Sequence, residues 1–252
     1  MDLGLQGKRA LVTGSTKGIG RAIAEVLLAE GASVAICSRT GDDVKAAIAD
    51  LSQHGTVVGD VVDASDLASV EAWIENSATQ LGGIDIYVHN TSGKPQKALA
   101  DWAKNFDTDL VALVGGVAKA ADFLAADGGG SLVSIGTTAS AEHFGSGSGS
   151  YSAFKAAVTN WTLGQAQVLG ARGIRCNVVS PGPIVFEGGD WANIRNAKPD
   201  FYDATVASHP TGRLGSAHDV ANVVAFLSSS AAAHINGANL TVDGGFLKRI
   251  NY

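Results

Sequence analysis

Only two cysteines occur in the 252-residue chain, Cys37 and Cys176, each inside an apolar run. That speaks against a disulfide framework or a cysteine metal site and fits a reducing cytoplasm. A run of basic residues is also missing. With 18 Lys and Arg against 24 Asp and Glu, the net charge is −6, which leaves no electrostatic footprint for nucleic acid or an anionic membrane surface. The longest apolar stretch, Leu110 to Ala121, contains Gly115, Gly116 and Lys119 and falls short of a membrane span. Met1 to Arg9 has no long apolar core preceded by basic residues, as a secretory signal would. A soluble cytoplasmic protein is expected, with no nucleic-acid partner, no membrane partner and no metal ligands.

What is present is a strong alternation of strand-like and helical segments. A chain of this length, 46% hydrophobic, can bury one large core. Arg9 to Thr13 reads as a buried strand and Gly14 to Gly20 as a glycine turn, followed by a helix over Ile19 to Ala29 that Gly31 closes. The rhythm continues with strands at Ser33–Cys37, Val57–Val61, Ile84–His89, Ser131–Ile135, Arg175–Val179 and Asn239–Val242. Helices are expected over Asp42–Gln53, Ser65–Leu81, Trp102–Ala126, the segment from Tyr151 to Gly170, and His218–Ser228. The fold class predicted is α/β: a single domain over 1–252 with a Rossmann-like, doubly wound parallel sheet of seven strands and helices on both faces. Gly145 to Ser150 reads as a mobile loop, and an insertion at about 186–210 as a lid over the carboxyl ends of the strands.

The turn Thr13-Gly14-Ser15-Thr16-Lys17-Gly18-Ile19-Gly20 lies between the first strand and first helix. There backbone N–H groups and the helix dipole can hold a pyrophosphate, although a tight strand-to-helix turn alone also wants glycine. After the second strand the run is Cys37-Ser38-Arg39, with no carboxylate to accept a ribose hydroxyl. Arg39 and Lys17 could flank a 2′-phosphate, which predicts NADP rather than NAD; otherwise both are solvated surface charges.

Tyr151 and Lys155 stand four residues apart at the start of a helical segment, so both fall on one face, about 5–6 Å apart at Cβ. Acid–base work near neutral pH requires a tyrosine lowered by roughly 2–3 pKa units, about 3–4 kcal/mol, and a neighbouring ammonium acts in that direction. The same spacing is also common in surface pairs.

Taken with these, Gly59-Asp60-Val61, His89-Asn90-Thr91-Ser92-Gly93, Pro181-Gly182 and Val242-Asp243-Gly244-Gly245 make nearly the whole chain resemble the short-chain dehydrogenase/reductase family. The resemblance implies that Asp60 and Val61 contact the adenine, that Asn90 packs near the cofactor, and that Pro181, Gly182 and residues to Ile184 cover the nicotinamide. It implies that Tyr151 exchanges a proton with a carbonyl or alcohol oxygen while Lys155 lowers its pKa and binds the ribose. A strand-end hydroxyl should hold the substrate oxygen. Strand register favours Thr137, and counting back from Tyr151 favours Thr138.

Two further positions depart from the family pattern. Asp109 stands where the family has an asparagine on the proton path to the lysine; its charge would oppose the lowering of the tyrosine pKa. Phe186 replaces a threonine of many relatives. Glu187, Trp191, Phe201 and Tyr202, with His143 and Phe144, could shape a pocket for a substrate with an apolar or aromatic part. The reading is an NADP(H)-dependent ketone/alcohol oxidoreductase acting on a small molecule, with a 3-oxoacyl-carrier-protein reductase or a non-catalytic nucleotide-binding regulator as alternatives. Ala153, Ala156, Ala157 and Val168 could pair helices in a homodimer or homotetramer.

Overall fold

The computed structural model describes residues 2–94, 98–99, 102–144 and 149–250. The strands β1 (Arg9–Val12), β2 (Ser33–Ser38), β3 (Val57–Val61), β4 (Ile86–His89), β5 (Ser131–Ile135), β6 (Arg175–Pro181) and β9 (Asn239–Val242) form one sheet. Its order is β3-β2-β1-β4-β5-β6-β9, and every pairing is parallel. Parallel strands need crossovers, and the crossovers here are α1 (Gly18–Ala29), α2 (Gly41–Leu51), α3 (Leu67–Leu81), α5 (Ala112–Ala126), α6 (Gly149–Leu169) and α9 (Ala217–Ser228). The order reverses between β1 and β4, which opens a crevice beyond their carboxyl ends.

The central strands are apolar on both faces because both are covered. On one side Val12, Ile36 and Val179 pack with Ile23, Leu27, Val220 and Val224 of α1 and α9. On the other, Leu11, Tyr87 and Leu132 pack with Trp73, Leu113, Val117 and Val158 of α3, α5 and α6. Both cysteines are free and buried in these strands, and burial pushes their thiols up to about 12.

Three features differ from the sequence expectation. The helix expected over Trp102–Ala126 is divided: α4 (Trp102–Asn105) runs into a π turn (Phe106–Val111) before α5. The insertion expected as a lid is helical, as α7 (Asp190–Ala197) and α8 (Pro199–Ala207), with Pro199 at the first position of α8, where its missing N–H costs nothing. A small parallel ladder, β7 (Ile184–Val185) with β8 (Gly215–Ser216), frames that insertion. The loop expected to be mobile has its residues 145–148 outside the described residues. Among the described residues, no helix is long and apolar enough to cross a membrane, and no group of three His, Cys, Asp or Glu side chains could hold a metal ion.

Candidate active site

The glycine turn after β1 is built by close approach. Gly14 and Gly18 adopt φ of 62° and 59°, the left-handed region that favours glycine. A Cβ on Gly20 would lie 2.4 Å from the Gly14 carbonyl and 2.5 Å from Asn90 Nδ2, so the third glycine lets α1 press onto the turn. Asn90 Nδ2 donates to the carbonyls of Thr13 and Gly14, each at 3.0 Å, locking the turn to the end of β4. Gly20→Ala is therefore expected to cost about 1–3 kcal/mol through overpacking and to weaken dinucleotide binding, as thermal unfolding and NADPH titration would read.

A cleft of about 510 Å³ runs beyond this turn, lined by Gly14, Thr16, Lys17, Ser38, Arg39 and Asn90 and reaching Gly93 and Lys94. Several of the residues expected on it lie elsewhere. Ser15 is fully buried, its hydroxyl donating to Val12 O and accepting from Cys37 N. Ile19 packs against the core. Asp60 and Val61 do not line the cleft, and Val61 is 59% exposed. The wall there is Val62, Asp63 and Ala64, because β3 pairs with β2 through Val61 and the chain turns over the cleft only afterwards. Lys17 is drawn to Asp43 at 2.8 Å, whereas Arg39 is exposed and its charge is felt at Asp63, whose carboxyl is lowered chiefly by hydrogen bonds from Ser65. Phe186 also lines the cleft, and its ring lies against Gly18 and Gly189. Pro181 and Ile184 are buried in the sheet and core, and Gly182 borders a second cavity.

Left-handed glycines and a cleft with cations at its far end suit the diphosphate, adenine and 2′-phosphate of a dinucleotide.

Tyr151 and Lys155 sit on the first turns of α6. Lys155 is 2% exposed and its ammonium has three donors. They are aimed at the Ile135 carbonyl at 3.0 Å, the Thr91 carbonyl at 3.3 Å and the Asp109 carboxylate at 3.4 Å. Asp109, fully buried in the π turn, accepts at its other oxygen from Asn105 Nδ2 at 2.9 Å and Gly93 N at 3.2 Å. Ser150 Oγ donates to Asn105 Oδ1 at 3.0 Å, so buried polar groups connect the residue before Tyr151 to Lys155. Buried His89 lies within 3.1 Å of the Asp109 carbonyl through Nε2. Burial, and then the nearby Lys155 charge, depress its pKa to about 3, so the ring is neutral.

Both threonines line the same cavity as Tyr151. Thr137, the cap of a short 3₁₀ turn, is the one whose hydroxyl acts on the phenol, lowering its pKa. The lowered phenol pKa expected from Lys155 does not hold here. Burial raises the Tyr151 pKa; the Thr137 bond opposes this, and the negative charges of Asp109 and Asp190 raise it further. The physical reason is chiefly burial of the phenol, to which the Asp109 charge adds. Lys155 itself is lowered by burial and held up by Asp109.

A second cavity of about 770 Å³ opens from Tyr151 and Thr137 toward α7 and α8. Trp191, Phe201 and Phe144 line it as expected, while Glu187, Tyr202 and His143 do not. Phe246, from the carboxyl-terminal segment, lines it too. It lies far from the other site residues in sequence, with only the preceding Asp-Gly-Gly turn as a signal. Ser92, Lys94 and Asp190 border both cavities, so the two adjoin at these residues, while Tyr151 lines the second.

A family model described as enoyl-(acyl carrier protein) reductase matches residues 14–247. Isoepoxydon dehydrogenase of Penicillium expansum is 32% identical over 251 residues, 97% of this chain and 96% of that protein. The 3-oxoacyl-[acyl-carrier-protein] reductase of Escherichia coli is 34% identical over 96% of this chain and 98% of that one. A short-chain dehydrogenase from Burkholderia cenocepacia, solved in complex with NADP, superposes with a TM-score of 0.87 at 34% identity, covering 96% and 98% of the two chains. The chain belongs to the short-chain dehydrogenase/reductase family of oxidoreductases.

Proposed function

We propose that the protein is an NADP-dependent oxidoreductase that interconverts a ketone and a secondary alcohol on a small molecule. The observation that carries this reading is the placement of Tyr151 and Thr137 in a mainly apolar cavity that adjoins the glycine-turn cleft through Ser92, Lys94 and Asp190. The bound nicotinamide supplies or accepts the hydride. For reduction, Thr137 Oγ1 and the Tyr151 hydroxyl hold the carbonyl oxygen, and Tyr151 gives it a proton as negative charge develops there. A raised phenol pKa keeps that proton on Tyr151 near neutral pH, which suits an acid and favours the reductive direction. Lys155 is the positioning cation beneath it, and one of its three contacts must yield if it also takes up the ribose hydroxyls. On this reading Asn90 fixes the phosphate turn, and Asp63 with Ala64 borders the adenine.

Arg39 is the residue assigned to the 2′-phosphate, supported by the serine at position 38 and by the NADP bound to the Burkholderia relative. Arg39→Ala should weaken NADPH binding by roughly tenfold, the scale of a lost charge-assisted bond, and leave NADH binding unchanged. Equal losses for both cofactors would remove the assignment. The 3-oxoacyl alternative is favoured by the Escherichia coli relative. Following NADPH loss with simple ketones, diketones and 3-oxoacyl thioesters separates the two, and NADPH binding without turnover of any of them would point to a regulator. The reading includes a cytoplasmic setting, supported by the two free buried thiols, and helix pairing through surfaces such as Val168, which is 65% exposed.

A further inference from the structure

The Asp243-Gly244-Gly245 run is a sequence motif that the cofactor chemistry leaves without a task. In the structure it builds a tight turn at the end of β9. The Asp243 carboxylate accepts from Gly245 N and Leu247 N, each at 2.9 Å, and its carbonyl accepts from Phe246 N at 3.1 Å. Gly244 and Gly245 have φ of 61° and 82°. A Cβ on Gly244 would lie 2.5 Å from Thr211 Oγ1, and one on Gly182 2.7 Å from Asp243 Cβ, so the turn is clamped between the end of β6 and the segment after α8. Arg249 Nη1 donates to the Ala141 carbonyl at 3.3 Å, tying the following residues to the loop before Tyr151.

What this turn presents is the ring of Phe246. It stacks on His209 (centroids 4.5 Å apart, 17° between planes) and on Phe144 (5.0 Å, 26°). His209 is buried and spends Nδ1 on the Thr205 carbonyl at 2.7 Å, which backs the stack from within. The lid contributes a second stack to the same cavity, Trp191 on Phe201 (6.0 Å, 10°). The only charged side chains lining the cavity are Lys94 and Asp190, and they face each other at 4.0 Å, so an ionised substrate would meet no unpaired partner among the described residues. Aromatic faces offer broad apolar contact, and a ring fills it without the rotamer entropy that an open chain loses on binding.

We propose that Phe246 is a specificity-determining residue and that the substrate is an uncharged cyclic ketone or its alcohol, seated between the Phe246 stack and the Trp191 stack with its oxygen at Tyr151. This rests on the carbonyl-reductase reading and adds the ring and the neutrality. The test is ligand binding to the NADP⁺-loaded protein, which cannot turn over a ketone, read by tryptophan fluorescence with Trp191→Phe as the control for signal origin. Cyclohexanone, 2-hexanone and 4-oxocyclohexanecarboxylate are compared.

Cyclohexanone should bind on the order of tenfold more tightly than the other two, the open chain losing rotamer freedom and the carboxylate being left unpaired. Phe246→Ala should abolish that preference, raising KM for the ring far more than it lowers kcat and leaving NADPH affinity unchanged. Phe246→Leu, which keeps bulk without an aromatic face, should lose the same preference and serves if the alanine variant folds poorly. Equal binding of ring, open-chain and anionic ketones, no binding of any, or a uniform loss in the Phe246 variants would overturn the proposal. Tight, Phe246-dependent binding of cyclohexanone without its reduction by NADPH would uphold the slot and refute carbonyl reduction.

Discussion

Tyr151→Phe should lower kcat for NADPH-dependent ketone reduction by about 10²–10⁴-fold, the usual contribution of a positioned acid, with NADPH affinity nearly unchanged. The phenylalanine keeps the ring and loses only the hydroxyl that meets Thr137. Thr137→Ala should show a smaller loss, and Thr138→Ala should stay close to wild type. Steady-state rates with a saturating ketone, alongside NADPH titration of each variant, provide the check. A Tyr151→Phe protein that retains full turnover would leave the cleft without an acid.

Asp109→Asn is expected to move the pH profile to lower pH. The Asp109 charge raises the Tyr151 pKa, so removing it lowers the pH at which the phenol ionises. Reduction needs the protonated phenol, and its alkaline limb should fall earlier; oxidation needs the phenolate, and its rise should also come earlier. Asp109→Ala reports the structural side of the same pair. It leaves the buried Lys155 ammonium uncompensated, which costs on the order of 3–5 kcal/mol.

The sign of the pH dependence follows from Lys155, whose folded pKa is already lowered by burial and would drop further without Asp109. The folded state then binds fewer protons than the unfolded one between the two pKa values. The deficit is therefore fully present below the folded Lys155 pKa of the variant and shrinks as pH rises through that window. Chemical denaturation at several pH values would read this, and a deficit independent of pH would mean that Lys155 is not the group left unpaired.

The strands and most helices were legible because apolar runs of strand length alternate with helix-periodic segments, and glycines mark the junctions. The π turn was not. An extra residue in one helical turn changes the hydrogen-bond pattern of Phe106–Val111 without needing a proline or glycine to signal it. It decides the site nonetheless, since it delivers the Asp109 carboxylate to Lys155 and its carbonyl to His89. The side chains that line the cleft after β3 were not legible, because an aspartate near a strand end matches Asp60 as well as Asp63 and only the β2–β3 register and the turn after it place Asp63 on the cleft. Sequence also pointed to two threonines that line the cavity with Tyr151 without choosing between them, since the choice depends on which hydroxyl meets Tyr151 in space. Phe246 depends wholly on tertiary packing, its partners Phe144 and His209 coming from separate loops.

The central claim, hydride exchange between NADPH and a carbonyl at Tyr151, is tested most directly by isotope transfer. The protein is incubated with cyclohexanone and NADPH carrying deuterium at either face of nicotinamide C4, and the alcohol is read by mass spectrometry. One of the two labelled cofactors should place a single deuterium on the carbinol carbon in the wild-type protein, at a rate that Tyr151→Phe lowers at least about a hundredfold. NADPH consumed without label in the alcohol from either cofactor, or equal label transfer by wild type and Tyr151→Phe, would contradict it.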